Sequence, residues 1–403
     1  MRAPHRLSFL MAAVVMGGSA LWWWHVMLGR STGWFAGPAA VPGTFVHALV
    51  MSLGFMPLFF GGFLFTAGPK WLQMPEVKAA EILKPVLAVG VGWAVLLVGA
   101  QVHHGVAAAG VALATAGWAT LTWHFGGLVA QSPAPDRLHA RLIVAACRVG
   151  VLAMGAAAAG LAWQSYEVVR WAALLGLWWF IVPVYVTVAH RMLPFFTAAA
   201  LPVLDAWRPH WLLWTLLILV GLQGAWVVVE ALGWQSVQSV VVVRAITAAL
   251  SGALVLALAV RWGLVQSLRI RLLAMLHLGF VWLGVALCLD AVATVLQALG
   301  HATPALLPLH ALTMGFLGSV LVAMVTRVSC GHSGRVLAAD DLVWGLFWGL
   351  QVATVLRLLA TVWAVQAPTL LLAAATVWLV VLGAWGVRYG RWYGRPRVDG
   401  RPG

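Results

Sequence analysis

Charge is scarce in this chain, and negative charge most of all: 8% of its 403 residues are charged and only 10 are Asp or Glu. A soluble domain of this length needs far more charge to cover its surface, so a soluble fold is excluded. Cysteine is almost as rare. Cys147, Cys288 and Cys330 stand apart without any Cys-x-x-Cys pair, which excludes a disulfide framework and a zinc knuckle. No Cys-x-x-Cys-His occurs, so the usual covalent attachment of a c-type haem is excluded too. Long polar linkers are also lacking, and residues 1–403 read as one domain. The formal charge of +14 comes from basic residues in short loops between apolar runs, with no basic stripe on a soluble face. Nucleic acid is therefore excluded as a partner.

What the chain has instead is hydrophobic length. Hydrophobic residues make up 63% of it, in runs of 20 residues and more. Such runs are long enough to cross a hydrocarbon core of about 30 Å. The spans predicted are roughly 7–28, 43–67, 83–102, 105–130, 138–164, 168–190, 210–232, 238–261, 271–299, 305–327, 338–362 and 367–388. Each must be a helix, because open strands leave backbone groups unsatisfied in lipid. The fold class is all-α, a polytopic membrane helix bundle of about twelve transmembrane helices in contact with membrane lipid. The 25 Trp fit aromatic belts at the two membrane interfaces. The N-terminus turns apolar at Leu7 and stays so to Leu28 without a clear cleavage pattern, and is read as a permanent first helix rather than a signal peptide.

The loops orient the bundle. With the N-terminus inside, Arg30 and Arg170 face outward and Arg148, Arg244 and Arg357 lie within spans. Every other Lys and Arg, from Arg2 to Arg401, falls on the cytoplasmic side. That asymmetry predicts cytoplasmic N- and C-termini.

Ionisable groups inside spans are costly and therefore informative. His47 begins His47-Ala48-Leu49-Val50-Met51 in the second span, and His310 begins His310-Ala311-Leu312-Thr313-Met314 in the tenth. Both helices run from outside to inside, and each histidine lies about 6–8 Å below the outer end at 1.5 Å per residue. Two imidazoles at one depth suit a flat macrocycle ligated axially from both faces. Met51 and Met314, four residues on, lie on the same helical faces, where thioethers pack well against a ring. A single intramembrane histidine is more often a packing residue; two in matched pentapeptides favour ligation. His25, beside Trp22, Trp23 and Trp24, is read as interfacial.

A second layer, towards the cytoplasm, holds His124, His190 and His277, followed by His332 in a loop. Imidazole suits haem iron or copper, although separated histidines near one interface are also ordinary boundary residues. Arg244 and Arg357 fall in the outer halves of their spans, as do Glu230 and Asp290. Either these four pair with one another, or the arginines hold the carboxylates of a haem.

At these residues the chain resembles the NnrS family, haem- and copper-containing membrane proteins associated with nitric oxide and denitrification. One stretch that carries the likeness is His47 to Met51 with Gly61-Gly62-Phe63-Leu64-Phe65-Thr66-Ala67-Gly68-Pro69-Lys70-Trp71. Another is His190-Arg191-Met192-Leu193-Pro194-Phe195-Phe196-Thr197. The longest is His310 to Gly315 with Met324-Val325-Thr326-Arg327-Val328-Ser329-Cys330-Gly331-His332-Ser333-Gly334-Arg335. Where the family commonly reads His-x-His-Glu-Met, this chain has Leu49 and Val50. The second span is also distantly similar to that of haem-copper oxidase subunit I, whose second and tenth helices supply the histidines of a low-spin haem. Pro308 stands where the oxidases place the histidine of their high-spin haem, and their copper histidines are unmatched, so no intact oxygen-reducing centre is expected.

The resemblance implies a haem-binding inner-membrane protein linked to nitric oxide metabolism or nitrosative stress. A b-type haem would sit between His47 and His310, with Met51, Met314, Arg244 and Arg357 around it. Copper would be a second metal, with His190, His277 and His124 as candidate ligands, and a haem-dependent oxidoreductase activity is open. Two rival expectations come from other classes. One is a twelve-helix secondary transporter, although spans two and ten do not stand in a six-plus-six relation. The other is a factor delivering haem or copper to a reductase.

Overall fold

A computed structural model describes residues 3–34, 39–301 and 306–400. Arg2, Arg401 and residue 305, the expected start of the tenth span, lie outside the described residues. Twelve helices are long and apolar enough to cross a membrane: Pro4–Thr32, Gly43–Trp71, Ala79–Val102, His104–Gln131, Leu138–Ala162, Tyr166–Ala200, His210–Ala231, Gln238–Arg261, Arg271–Ala298, Leu306–His332, Asp341–Val362 and Ala367–Tyr393. No strand occurs among the described residues. The chain is a multi-pass all-α membrane protein. Its helices match the predicted spans in number and order. The sixth runs ten residues beyond its expected end, to Ala200, because a helix does not stop where its hydrocarbon-facing stretch does.

Two compact units divide the chain. The first comprises Met1–Thr187, His332–Arg335 and Leu382–Gly403, and the second Val188–Gly331 and Val336–Val381. The divisions fall within the sixth and twelfth spans and at the end of the tenth.

In the first unit, the third and fourth spans meet backbone to backbone. A Cβ on Gly92 would lie 2.5 Å from the Gly110 carbonyl oxygen and the Ala114 nitrogen, and one on Gly99 would lie 2.4 Å from the Ala107 nitrogen. Lipid gives helices no hydrophobic drive to associate, so small residues that permit this close packing supply it. The first span packs on the second, where the Phe9 ring fills the space beside Gly62 and Ser8 Oγ donates to the Leu58 carbonyl. The two ends of the chain also meet here, Arg6 Nη1 donating to the Arg395 carbonyl at 2.8 Å. An even number of spans requires both ends on one side of the membrane.

In the second unit, the eighth and ninth spans repeat the close-packing device. A Cβ on Gly252 would lie 2.9 Å from the Gly284 carbonyl oxygen. Across the same pair, Arg244 Nη2 bonds Asp290 Oδ1 at 2.8 Å. Asp290→Asn or Arg244→Gln is expected to cost about 3 kcal/mol, because the first leaves Arg244 charged and half-buried and the second leaves Asp290 charged and buried. The double change to leucine is expected to cost far less. Thermal unfolding of the three detergent-purified variants checks this, and equal losses in all three would rule out the coupling.

Tryptophan departs from the expected belts. Trp34, Trp163 and Trp363 are exposed near span ends, yet Trp93, Trp118 and Trp385 are among the largest fully buried side chains. An indole carries as much apolar area as any core residue, so a close-packed bundle also uses it as filler. His25 is exposed.

Candidate functional site

Three spans contain a widened, π-helical turn, and two of the three follow a candidate histidine. Val50–Gly54 begins three residues after His47, Leu177–Ile181 lies in the sixth span, and Ala311–Gly318 begins directly after His310. The first two have a local cause. Pro57 and Pro183 each lack an N–H, and each ring would clash with the carbonyl four residues earlier, at Leu53 and Trp179. Those carbonyls lie in the widened turns, where an extra residue relieves the clash. In the tenth span the widening coincides with Gly315 and Gly318. A Cβ on Gly315 would meet the Trp282 ring at 2.6 Å, and Trp378 covers Gly318. Pro308 itself sits in the first turn of its helix, where its missing N–H costs nothing.

His47 belongs to the first unit and His310 to the second. His47 is half-buried and stacks on Trp23, with ring centroids 3.9 Å apart and planes 24° from parallel. Met51 is half-buried in the widened turn below it.

His310 is also half-buried, and its Nδ1 lies 2.9 Å from the Leu306 carbonyl. A carbonyl only accepts, so Nδ1 carries the proton, and the neutral ring has its lone pair on Nε2. Metal-ligating histidines are commonly oriented this way, by a backbone carbonyl on the other nitrogen. Met314 is half-buried four residues on. Arg357, half-buried in the eleventh span, lies within electrostatic range of His310. Among the described residues no carboxylate pairs with it. Arg244 differs, being paired with Asp290 as in the first of the two expected arrangements.

Below His310 the tenth span is held by a polar network not anticipated from the sequence. Trp282 Nε1 donates to Gln351 Oε1 at 2.8 Å, and Gln351 Nε2 donates to Ser319 Oγ at 2.9 Å. The network ties the ninth, tenth and eleventh spans beside the widened turn. A lone glutamine in an apolar run was the available signal.

The inner histidines occupy separate settings. His124, in the first unit, packs against the Phe65 ring at 5.1 Å. In the second unit, His190 is fully buried and its Nε2 donates to the Pro209 carbonyl at 3.2 Å. His277 is fully buried and its Nε2 lies 2.9 Å from Thr197 Oγ1. That hydroxyl already donates to the Leu193 carbonyl, so it accepts from His277 and leaves the imidazole lone pair on Nδ1. His277 Nδ1 is buried without a hydrogen-bond partner. Thr197 lies two turns along the sixth span from His190, roughly 10 Å at 1.5 Å per residue. His190 and His277 are thus anchored at different levels.

Residues 1–397 match the model of a protein family described as NnrS protein. A search of curated proteins found no match.

Proposed function

Because this chain belongs to the NnrS family, we propose that it is a haem-binding protein of a bacterial inner membrane, with cytoplasmic termini, acting in nitric oxide metabolism or nitrosative-stress defence. The observation that carries the reading is His310, oriented by the Leu306 carbonyl, with the charge of Arg357 near enough to act on it. His310 is held by Leu306 in the tautomer that offers Nε2 to a metal, and a half-buried guanidinium without a protein carboxylate lies in electrostatic range. An unpaired arginine inside a membrane calls for an anion, and a haem brings two carboxylates.

In this reading His47 and His310 are the axial ligands of a b-type haem, and Arg357 binds a haem carboxylate. Met51 and Met314 pack against the ring edge. When bound, haem supplies a one-electron couple whose potential is set by its ligands and surroundings. The chain's part is to hold two neutral imidazoles, exclude water with apolar spans and neutralise a carboxylate. Binding of nitric oxide requires that one histidine be displaceable. His47, stacked on the Trp23 ring, is the proposed displaceable ligand. Copper is the proposed second metal, with the buried His277 Nδ1 as the inner histidine nitrogen best supported as a ligand. The nitric oxide connection rests on the family resemblance.

An optical spectrum of the detergent-purified protein, oxidised and dithionite-reduced, tests the reading. Sharp reduced α and β bands at about one haem per chain are expected of bis-histidine ligation. A colourless protein after expression with ample haem would overturn it.

A further inference from the structure

The ends of four spans bring an excess of positive charge together in the first unit. Arg6, in the first turn of the first span, is only 7% exposed and donates to the Arg395 carbonyl. The charges of Arg335 and Arg397 act on it, and those of Lys70, Arg397 and Arg6 act on His332. The His332 ring lies 4.5 Å from that of His5, which is 2% exposed. Arg335 lies over the Trp392 ring at 4.1 Å, and its Nη1 is buried with no hydrogen-bond partner. Asp399 lies in the same cluster and is engaged by Arg397 at 2.8 Å.

Topology alone does not account for this arrangement. Arginines that only mark the cytoplasmic side extend into water, where their charge is solvated. Here one arginine is almost wholly covered as a residue, and another has a donor shielded from solvent. Among the described residues no carboxylate pairs with either. A buried cation without an anion is strongly destabilising, as is a buried donor without an acceptor. The C-terminal segment nevertheless folds over the cluster. Val398 N–H donates to the Ser333 carbonyl and Arg397 Nη1 to the His332 carbonyl.

We propose that this cluster is a binding site for a phosphate group, held by Arg6 and Arg335. The guanidinium fork matches the oxygens of a phosphate, and the ends of spans lie at the depth of lipid headgroups. Headgroup phosphate and free phosphate share this chemistry. The site is independent of the haem reading.

The test uses the full chain in a neutral detergent, with the thermal unfolding midpoint read by tryptophan fluorescence. Inorganic phosphate and phosphatidylglycerol are titrated separately, each against sodium chloride at matched ionic strength. The wild type is expected to show a saturable rise in midpoint. In Arg335→Gln the half-maximal concentration is expected to increase about tenfold or more, the loss of one charge-assisted bond. Arg335→Lys keeps the charge without the fork and is expected to bind more weakly than wild type while folding normally. A rise with both ligands identifies free phosphate as sufficient, and a rise with the lipid alone identifies a headgroup. No rise with either, or the same rise in the Arg335 variants, would overturn the site.

Discussion

Leucine at position 92 is expected to prevent the third and fourth spans from docking and to leave little monodisperse protein after detergent extraction. The clash is with backbone, not with a side chain that can turn away. Even a single Cβ at Gly92 meets the Gly110 oxygen and the Ala114 nitrogen at 2.5 Å. Overpacking usually costs about 1–3 kcal/mol where neighbouring side chains adjust. With two helix backbones as the obstacle, the loss is expected at about 3 kcal/mol or more. Gly92→Ala is expected to fall between Gly92→Leu and wild type. Gly127→Ala is the control, since a Cβ there meets nothing within 4 Å. Size-exclusion profiles and unfolding midpoints of the three variants decide the matter. A Gly92→Leu protein as well behaved as the control would mean that the two spans do not pack this closely.

Alanine at His310 is expected to remove most of the bound haem while the protein stays folded and inserted. His310 is only half-buried, and the bond from its Nδ1 to the Leu306 carbonyl stays within its own helix, so its loss disturbs little packing. His47→Ala is expected to do the same, with a small extra cost from the lost stack on Trp23. Arg357→Gln is predicted to weaken haem retention about tenfold without changing the axial spectrum, since it acts on a carboxylate and not on the iron. Arg244→Gln is expected instead to show first as lost stability, because its charge is already matched by Asp290. Haem-to-protein ratios and low-temperature spectra of purified variants separate these effects. Full haem with unchanged axial bands in either histidine variant would sink the proposed ligation.

Much of this protein was legible in the sequence because the membrane simplifies the problem. Inside lipid an apolar run of 20 residues has one acceptable conformation, so the number and order of helices follow from hydropathy. The histidines His47 and His310 stood out for the same reason, since polar groups in such runs are costly and few. The widened turns were only half visible. Pro57 and Pro183 announce a disturbed helix, but proline can equally kink or end one, and nothing local marks the turn after His310. Arg244 had several acids within reach in the sequence. Only the packing of the eighth span on the ninth selects Asp290.

Hydropathy, charge asymmetry and the resemblance in three motifs thus determined the class, the twelve spans, the family expectation and the residues worth examining. Tertiary structure decided which helices touch, which tryptophans are filler, which nitrogen of His310 and His277 carries the proton, and which arginines lack an acid. The physical reason is the range of the interactions. Transfer into lipid acts on each segment separately and is summed along the chain. A close approach at Gly92, the ion pair of Arg244 with Asp290 and the Trp282–Gln351–Ser319 network each join residues from different spans. They exist only once those spans have packed.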